Sequence, residues 1–241
     1  MKISYIYHSS FVIEEQLQNG HQMVLIFDYF EGTLPEFPPE AYLYVFASHK
    51  HGDHFHLCIF DLVKQYRNVT YILGNDIKLN EKYLVRNGVE PTVREHIISA
   101  KCHMTIESGD IHIETLRSTD QGVAFVVSFD DKTIYHAGDL NWWHWKGYTD
   151  AGNRLMEKRY CEEIDLLREK HIDIAMIPAD PRLEEFYDLG LRYFTEQVGA
   201  DVIYPMHLWK HYEIAEQLVK KYPCVRNPLS IQYPQISVKI Q

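Results

Sequence analysis

The chain has 241 residues, 46% hydrophobic and 24% charged, which is enough apolar material for one well-buried domain and too much for a disordered state. Its formal net charge of −10, from 34 acidic and 24 basic residues, repels a phosphate backbone, so nucleic acid is not an expected partner, although a local basic pocket for one small anion is compatible with it. Four scattered cysteines without a C-x-x-C pair exclude a disulfide framework and suit a reducing cytoplasm, and with no signal-length or membrane-length apolar run neither secretion nor a membrane span is expected.

In chain order, residues 3–14 and 22–30 are rich in Ile, Val, Phe and Tyr and are predicted strands, with a hairpin signal at Asn19-Gly20. A proline-containing loop over 34–39 leads to a short apolar strand at 41–47. Residues 55–66 carry apolar side chains at helical spacing, 69–73 are a strand, and 80–87 a short helix closed by Gly88. Strands follow at 102–107, 111–116, 123–129 and 133–136, the last two joined by a turn at Asp130-Asp131. Residues 153–170 form the longest predicted helix, with Leu155, Tyr160, Ile164 and Leu167 assigned to its buried side. Then come a strand at 172–177, a short helix at 195–199, a strand at 202–205 and a helix at 211–222. Strands first, then alternating strand and helix, suit a sheet-containing sandwich with helices outside.

The strand at 41–47 runs directly into Ser48-His49-Lys50-His51-Gly52-Asp53-His54. Three imidazoles and a carboxylate within six positions, at a strand-to-helix junction, form a ligand set for zinc, manganese or iron. Asp28, Asp139 and His207 each close an apolar strand, and strand ends at one sheet edge can converge on such a cluster. On residue type alone, Asp28 and Asp139 also read as turn formers and His207 as a buried or surface histidine.

The string His49-x-His51-x-Asp53-His54 resembles the HxHxDH signature of the metallo-β-lactamase superfamily, and the similarity extends over nearly the whole chain. Ile134-Tyr135-His136-Ala137-Gly138-Asp139 is closest to the small metal-dependent hydrolases near L-ascorbate-6-phosphate lactonase. The resemblance implies an α+β, four-layer αββα sandwich, read as a single domain over 1–241. It also implies one or two divalent metal ions, zinc first, with manganese or iron as alternatives. In that scheme His49 and His51 bind one ion, Asp53, His54 and His207 the other, Asp139 bridges, and Asp28 supports the ligands from behind. Asp53 would also hold the attacking water and take its proton. One departure stands out: Ser118 occupies the place of a further metal histidine, and Asp120, two residues on, is the candidate oxygen ligand.

Around this set, His8 and His136 are candidates for or behind the metal shell, and Trp142, in the run Asn141-Trp142-Trp143-His144-Trp145, for an apolar wall or for core packing. His144 is a candidate proton donor to the leaving group, and Lys210 an anion contact or a solvated lysine. The expected function is hydrolysis of a small, anionic or neutral, ester, lactone or phosphate ester by a metal-activated water, in a protein free to self-associate. A nuclease of the same fold and a non-catalytic metal-binding protein are the alternatives.

Overall fold

Twelve strands arranged as two six-stranded mixed sheets carry the structure, a computed structural model that describes residues 1–231. The first half of the chain supplies β1 (Lys2–Tyr7), β2 (Ser10–Gln16), β3 (Gln22–Phe27), β4 (Tyr42–Ala47), β5 (Asn68–Gly74), the short helix α1 (Glu81–Arg86) and β6 (Ile97–Ala100). The second supplies β7 (Thr105–Ser108), β8 (Ile111–Arg117), β9 (Val123–Phe129), β10 (Lys132–His136), α2 (Asp150–Ile164), β11 (Ile174–Pro178), α3 (Leu189–Gln197), β12 (Val202–Met206) and α4 (Glu213–Lys221). One sheet runs β1-β2-β3-β4-β5-β6 and the other β12-β11-β10-β9-β8-β7. In the first, β3 to β6 are parallel neighbours, and in the second β10, β11 and β12 are.

The alternation of side chains along each strand builds the layers. In β3, Met23, Leu25 and Phe27 point into the core shared with the second sheet, while Val24 and Ile26 face a separate outer cluster. In β4, Tyr44 and Phe46 point inward and Leu43, Val45 and Ala47 outward. That outer cluster is covered by α1 and by the 3₁₀ segment Leu57–Lys64, through Leu84, Ile59, Phe60 and Leu62. On the other side, α2, α3 and α4 pack through Tyr160, Ile164, Leu191, Phe194, Ile214 and Leu218. The result is the α+β sandwich expected, with helix, sheet, sheet and helix in turn.

Four local expectations are corrected. The predicted strand over 3–14 is two antiparallel strands that turn at His8-Ser9, with a register irregularity between Tyr5 and Tyr7. The helix over 55–66 is a 3₁₀ segment, and β6, a four-residue strand, is additional. Helix α3 begins at Leu189 rather than 195, through Gly190, where a Cβ would lie 2.2 Å from Asn141 Oδ1. Finally, Leu155 is 48% exposed, and the buried stripe of α2 is Asn153, Tyr160 and Ile164. Ile164→Ala is therefore expected to cost about 2–5 kcal/mol in a urea unfolding series. Leu155→Ala should stay within about 0.5 kcal/mol.

The parallel neighbours β3 and β4 of one sheet and β10, β11 and β12 of the other end at one rim between the two sheets. The residues just beyond those ends are Asp28, Ser48 and His49, Asp139, Asp180, and His207.

Candidate metal centre

At that rim, two groups of four side chains each bring their nitrogen and oxygen atoms within 4.8 Å of one another: His8, Asp53, His54 and His207, and His49, His51, Asp120 and Asp139. The first is deep, with His8, His54 and His207 buried and Asp53 partly open. The second is shallower, because the side chains of His51 and Asp120 are half exposed while His49 and Asp139 are buried.

Asp139 touches both groups. Its Oδ1 lies 3.2 Å from His54 Nε2 and 3.5 Å from His207 Nε2, and its Oδ2 lies 3.5 Å from His49 Nε2. Asp53 Oδ2 sits 3.5 Å from His8 Nε2, 3.8 Å from His207 Nε2 and 3.9 Å from His54 Nε2. In the shallower group, His49 Nε2 and His51 Nδ1 are 2.9 Å apart, and His51 Nδ1 is 3.5 Å from Asp120 Oδ2.

The histidines are oriented from behind. His54 Nδ1–H donates to Asp28 Oδ2 at 2.7 Å, and His207 Nδ1–H donates to Asp180 Oδ2 at 2.7 Å. Each bond turns the opposite nitrogen, Nε2, toward the cluster, as outer partners of metal histidines do. Asp28 is itself fixed by the Ser48 backbone N–H at 2.7 Å and the Ser48 hydroxyl at 2.8 Å. The buried atoms His8 Nε2, His54 Nε2, His207 Nε2 and Asp139 Oδ1 then converge with no hydrogen-bond partner. Four orphaned polar atoms at one point would be costly in an ordinary core. They are what a divalent cation satisfies, and all the donors are imidazole or carboxylate, the set that suits zinc, manganese or iron.

Local backbone geometry serves the same end. His8, Asp28 and His207 have φ of 54°, 44° and 63°, a region that non-glycine residues rarely occupy and that concentrates at functional sites. Two glycines let the strand ends close around Ser48: a Cβ on Gly122 would lie 2.0 Å from Ser48 O, and one on Gly138 would lie 2.6 Å from Ser48 Cβ. Gly138, at φ 54°, thus sets Asp139 against the His49–His54 segment.

The charges are strongly coupled. Burial pushes the Asp139 carboxyl up, but His54 and His207 beside it hold it well below the usual carboxylate range. Burial pulls His54 down, yet Asp139 and Asp28 on its two nitrogens hold it well above the usual imidazole value. His49 is lowered to about 4 by burial and by its neighbour His54. Asp180, which burial would raise, is held at about 2 by His207 and Arg182.

The expected residues fall into three sets. His49, His51, Asp53, His54, Asp139, His207 and Asp120 come together, and His8 joins them in the deep group. Ser118 is not among them: its hydroxyl accepts the Asp120 backbone N–H at 3.1 Å and so shapes the turn that carries Asp120 inward. Asp28 and His136 lie behind. His136 donates to Ser9 O at 2.8 Å, accepts the Gly138 N–H at 3.2 Å and stacks on Phe27, which is a packing role. Three side chains turn away. Trp142 packs toward Tyr160 and Tyr193, His144 packs on Phe186, and the Lys210 ammonium lies over the Tyr7 ring. The mouth is walled instead by Trp143, Trp145, Tyr148 and Met156, with Arg182 at its edge.

Asp180 and Arg182 were not anticipated. The only trace of them in the sequence is an Asp just past an apolar strand, the same signal that marked Asp28 and Asp139. Asp180 is fully buried and its Oδ2 holds His207, so Asp180→Ala should weaken metal affinity by roughly 10–100-fold in a competitive chelator titration. An unchanged affinity would remove Asp180 from the centre.

A family model described as the β-lactamase superfamily domain matches residues 2–144. No curated protein matches the chain. Among solved structures, a mutant of CmlA β-hydroxylase is 12% identical with a TM-score of 0.56, covering 91% of this chain and 50% of that one. The diiron β-hydroxylase CmlA from Streptomyces venezuelae is 12% identical with a TM-score of 0.50, covering 85% and 44%. The chain therefore spans about half the length of these hydroxylases. The short form of human tRNase Z is 14% identical with a TM-score of 0.54, covering 88% of this chain and 94% of that one. At such identities these neighbours speak for the fold alone.

Proposed function

Since the chain belongs to the metallo-β-lactamase superfamily, we propose that it is a metal-dependent hydrolase acting on a small ester, lactone or phosphate ester, in the manner of the hydrolases near L-ascorbate-6-phosphate lactonase. The observation that carries this reading is the convergence of three buried, unpartnered Nε2 atoms, of His8, His54 and His207, in one ligand group, two of which, His54 and His207, face a carboxylate, Asp139, that also reaches a second, shallower group. In this reading His8, Asp53, His54 and His207 hold one ion, and His49, His51 and Asp120 hold another, with Asp139 between them. Zinc is the first choice, with manganese or iron accommodated by the same donors.

A bound divalent cation supplies Lewis acidity and brings the pKa of water toward neutrality. The protein's own part is orientation and proton handling. Asp28 and Asp180 keep the imidazole nitrogens turned inward. Asp53 is partly open, lines the mouth, and accepts the proton of the attacking water. The tryptophan wall limits the approach of bulk water and bounds the substrate.

The acidic balance of the chain, and a mouth that carries one arginine and no lysine among the described residues, support a small molecule over RNA as the partner. No helix among the described residues is long and apolar enough to cross a membrane. We propose a cytoplasmic protein in which residues 1–241 form one domain. The test is a panel of lactones, carboxylic esters, phosphate monoesters and RNA, assayed after loading with Zn²⁺, Mn²⁺ or Fe²⁺. Metal-dependent turnover of a small ester, lactone or phosphate ester is expected. Bound metal with no turnover of any class would make the protein a metal-binding module, and RNA cleavage would make it a nuclease.

A further inference from the structure

The mouth above the two ligand groups encloses about 330 Å³, room for a small organic molecule. Its walls differ in chemistry. On one side Trp143 and Trp145 lie parallel, with centroids 6.0 Å apart and planes 5° apart. Trp143 is buried and fixed by its Nε1–H, which donates to Asp139 O at 3.0 Å, whereas Trp145 is partly open. At the edge, Arg182 is the one lysine or arginine on the lining among the described residues.

Arg182 is held in place before any ligand arrives. Its Nε donates to both oxygens of Asp180 at 2.9 Å and its Nη2 to Asp180 Oδ2 at 2.5 Å. The guanidinium lies over Trp209 at 4.8 Å and over Trp145 at 5.8 Å from the ring centroids. Nη1 has no hydrogen-bond partner among the described residues, and the side chain is 49% exposed. A guanidinium clamped at one side and open at the other presents its remaining N–H groups in a fixed direction, at low entropic cost, to an oxyanion.

We infer that the mouth selects a small substrate with a planar or apolar body and a pendant oxyanion, phosphate or carboxylate. The body lies along Trp145 and the oxyanion on Arg182 Nη1. This rests on the hydrolase reading and narrows its substrate class. It also moves the anion contact from Lys210, whose ammonium sits over Tyr7, to Arg182.

Binding of non-hydrolysable probes separates this inference from the reading beneath it. Phenylphosphonate, benzoate, methylphosphonate and benzyl alcohol are titrated by calorimetry into metal-saturated protein, with metal content measured on every variant. Arg182→Gln is expected to weaken whichever aryl anion binds better by roughly tenfold or more, and Arg182→Lys to restore only part of it, since a point charge replaces a fork. Trp145→Ala is expected to weaken the aryl anion by roughly three- to tenfold while leaving methylphosphonate within about twofold, and Trp145→Phe to recover most of the loss. The better of phenylphosphonate and benzoate tells phosphate from carboxylate. If Arg182→Gln binds the aryl anions within about twofold of wild type at saturating metal, or benzyl alcohol binds as tightly as they do, the inference is overturned while the metal centre stands. A wild-type protein that takes up no metal would instead defeat the hydrolase reading.

Discussion

Asp139→Ala is expected to lose most bound metal and, with it, turnover, by more than the roughly 10–100-fold that the removal of an outer partner costs. The reason lies in the geometry of one carboxylate. Its two oxygens face different ligand groups, Oδ1 toward His54 and His207 and Oδ2 toward His49, so its loss opens both at once. By contrast, Asp120→Ala removes a half-exposed carboxylate from the shallower group only, and should leave the deep group able to hold an ion. Elemental analysis after dialysis against a weak chelator reads both. A thermal melt shows whether Asp139→Ala is still folded. Metal content equal to wild type in a folded Asp139→Ala protein would contradict the shared role.

The second large effect is on stability. Asp28 is buried and accepts three hydrogen bonds, from the Ser48 N–H, the Ser48 hydroxyl and His54 Nδ1. Burial alone would raise its pKa, but His54 against it holds it below the usual range, so it carries a charge that its partners need. Asp28→Ala leaves two buried donors and an imidazole without their acceptor. A loss of about 3–5 kcal/mol is expected, on the scale of breaking a buried pair. In a chain of this size that lowers the melting temperature by on the order of 10 °C.

Asp28→Asn separates the two roles of this side chain. Its oxygen can still accept from Ser48, so the fold should be largely kept. Its amide, however, would donate to His54 Nδ1 and force the proton onto Nε2, the atom that faces Asp139. Metal affinity should then fall by roughly 10–100-fold with a much smaller loss of stability. Equal losses in both variants would mean that Asp28 acts on packing alone.

The legibility of this centre followed sequence distance. His49, His51, Asp53 and His54 lie within one turn-containing run, so their spacing alone declared a ligand set. Asp139 and His207 are far away in sequence, but each follows an apolar strand, and the phrases around them resemble those of known hydrolases. His8 was harder. The apolar pattern of residues 3–14 continues through it without a glycine, proline or asparagine, while the backbone turns there through a left-handed φ of 54°. What made His8 a turn is tertiary: its carbonyl accepts the His207 N–H at 3.2 Å, and its ring packs against His207 and Trp209.

Side-chain direction at the mouth was not legible. In the run Trp142-Trp143-His144-Trp145, residue type marks the tryptophans as wall candidates and His144 as a proton donor, yet the loop turns Trp143 and Trp145 to the mouth and Trp142 and His144 away from it. Likewise Lys210 and Arg182 are both cations near a strand end. Only Arg182 has a buried carboxylate to aim it, Asp180 two residues before it, and the Trp209 ring under its guanidinium is brought there because β11 and β12 lie side by side. The fold class, by contrast, was legible from the order of strands and helices and from the resemblance around His49 to His54, and the unbroken apolar runs of β3 and β4 fit strands that the structure buries on both faces.

Crystals soaked in Zn²⁺ or Mn²⁺ and measured at the absorption edge test the central claim most directly. Two anomalous peaks are predicted, about 3.5–4 Å apart. One lies among His8, Asp53, His54 and His207, the other among His49, His51, Asp120 and Asp139, with the Asp139 carboxylate between them. No peak in either group, or the strongest peak at the exposed cluster of His171, Asp173 and Asp201, would contradict the account.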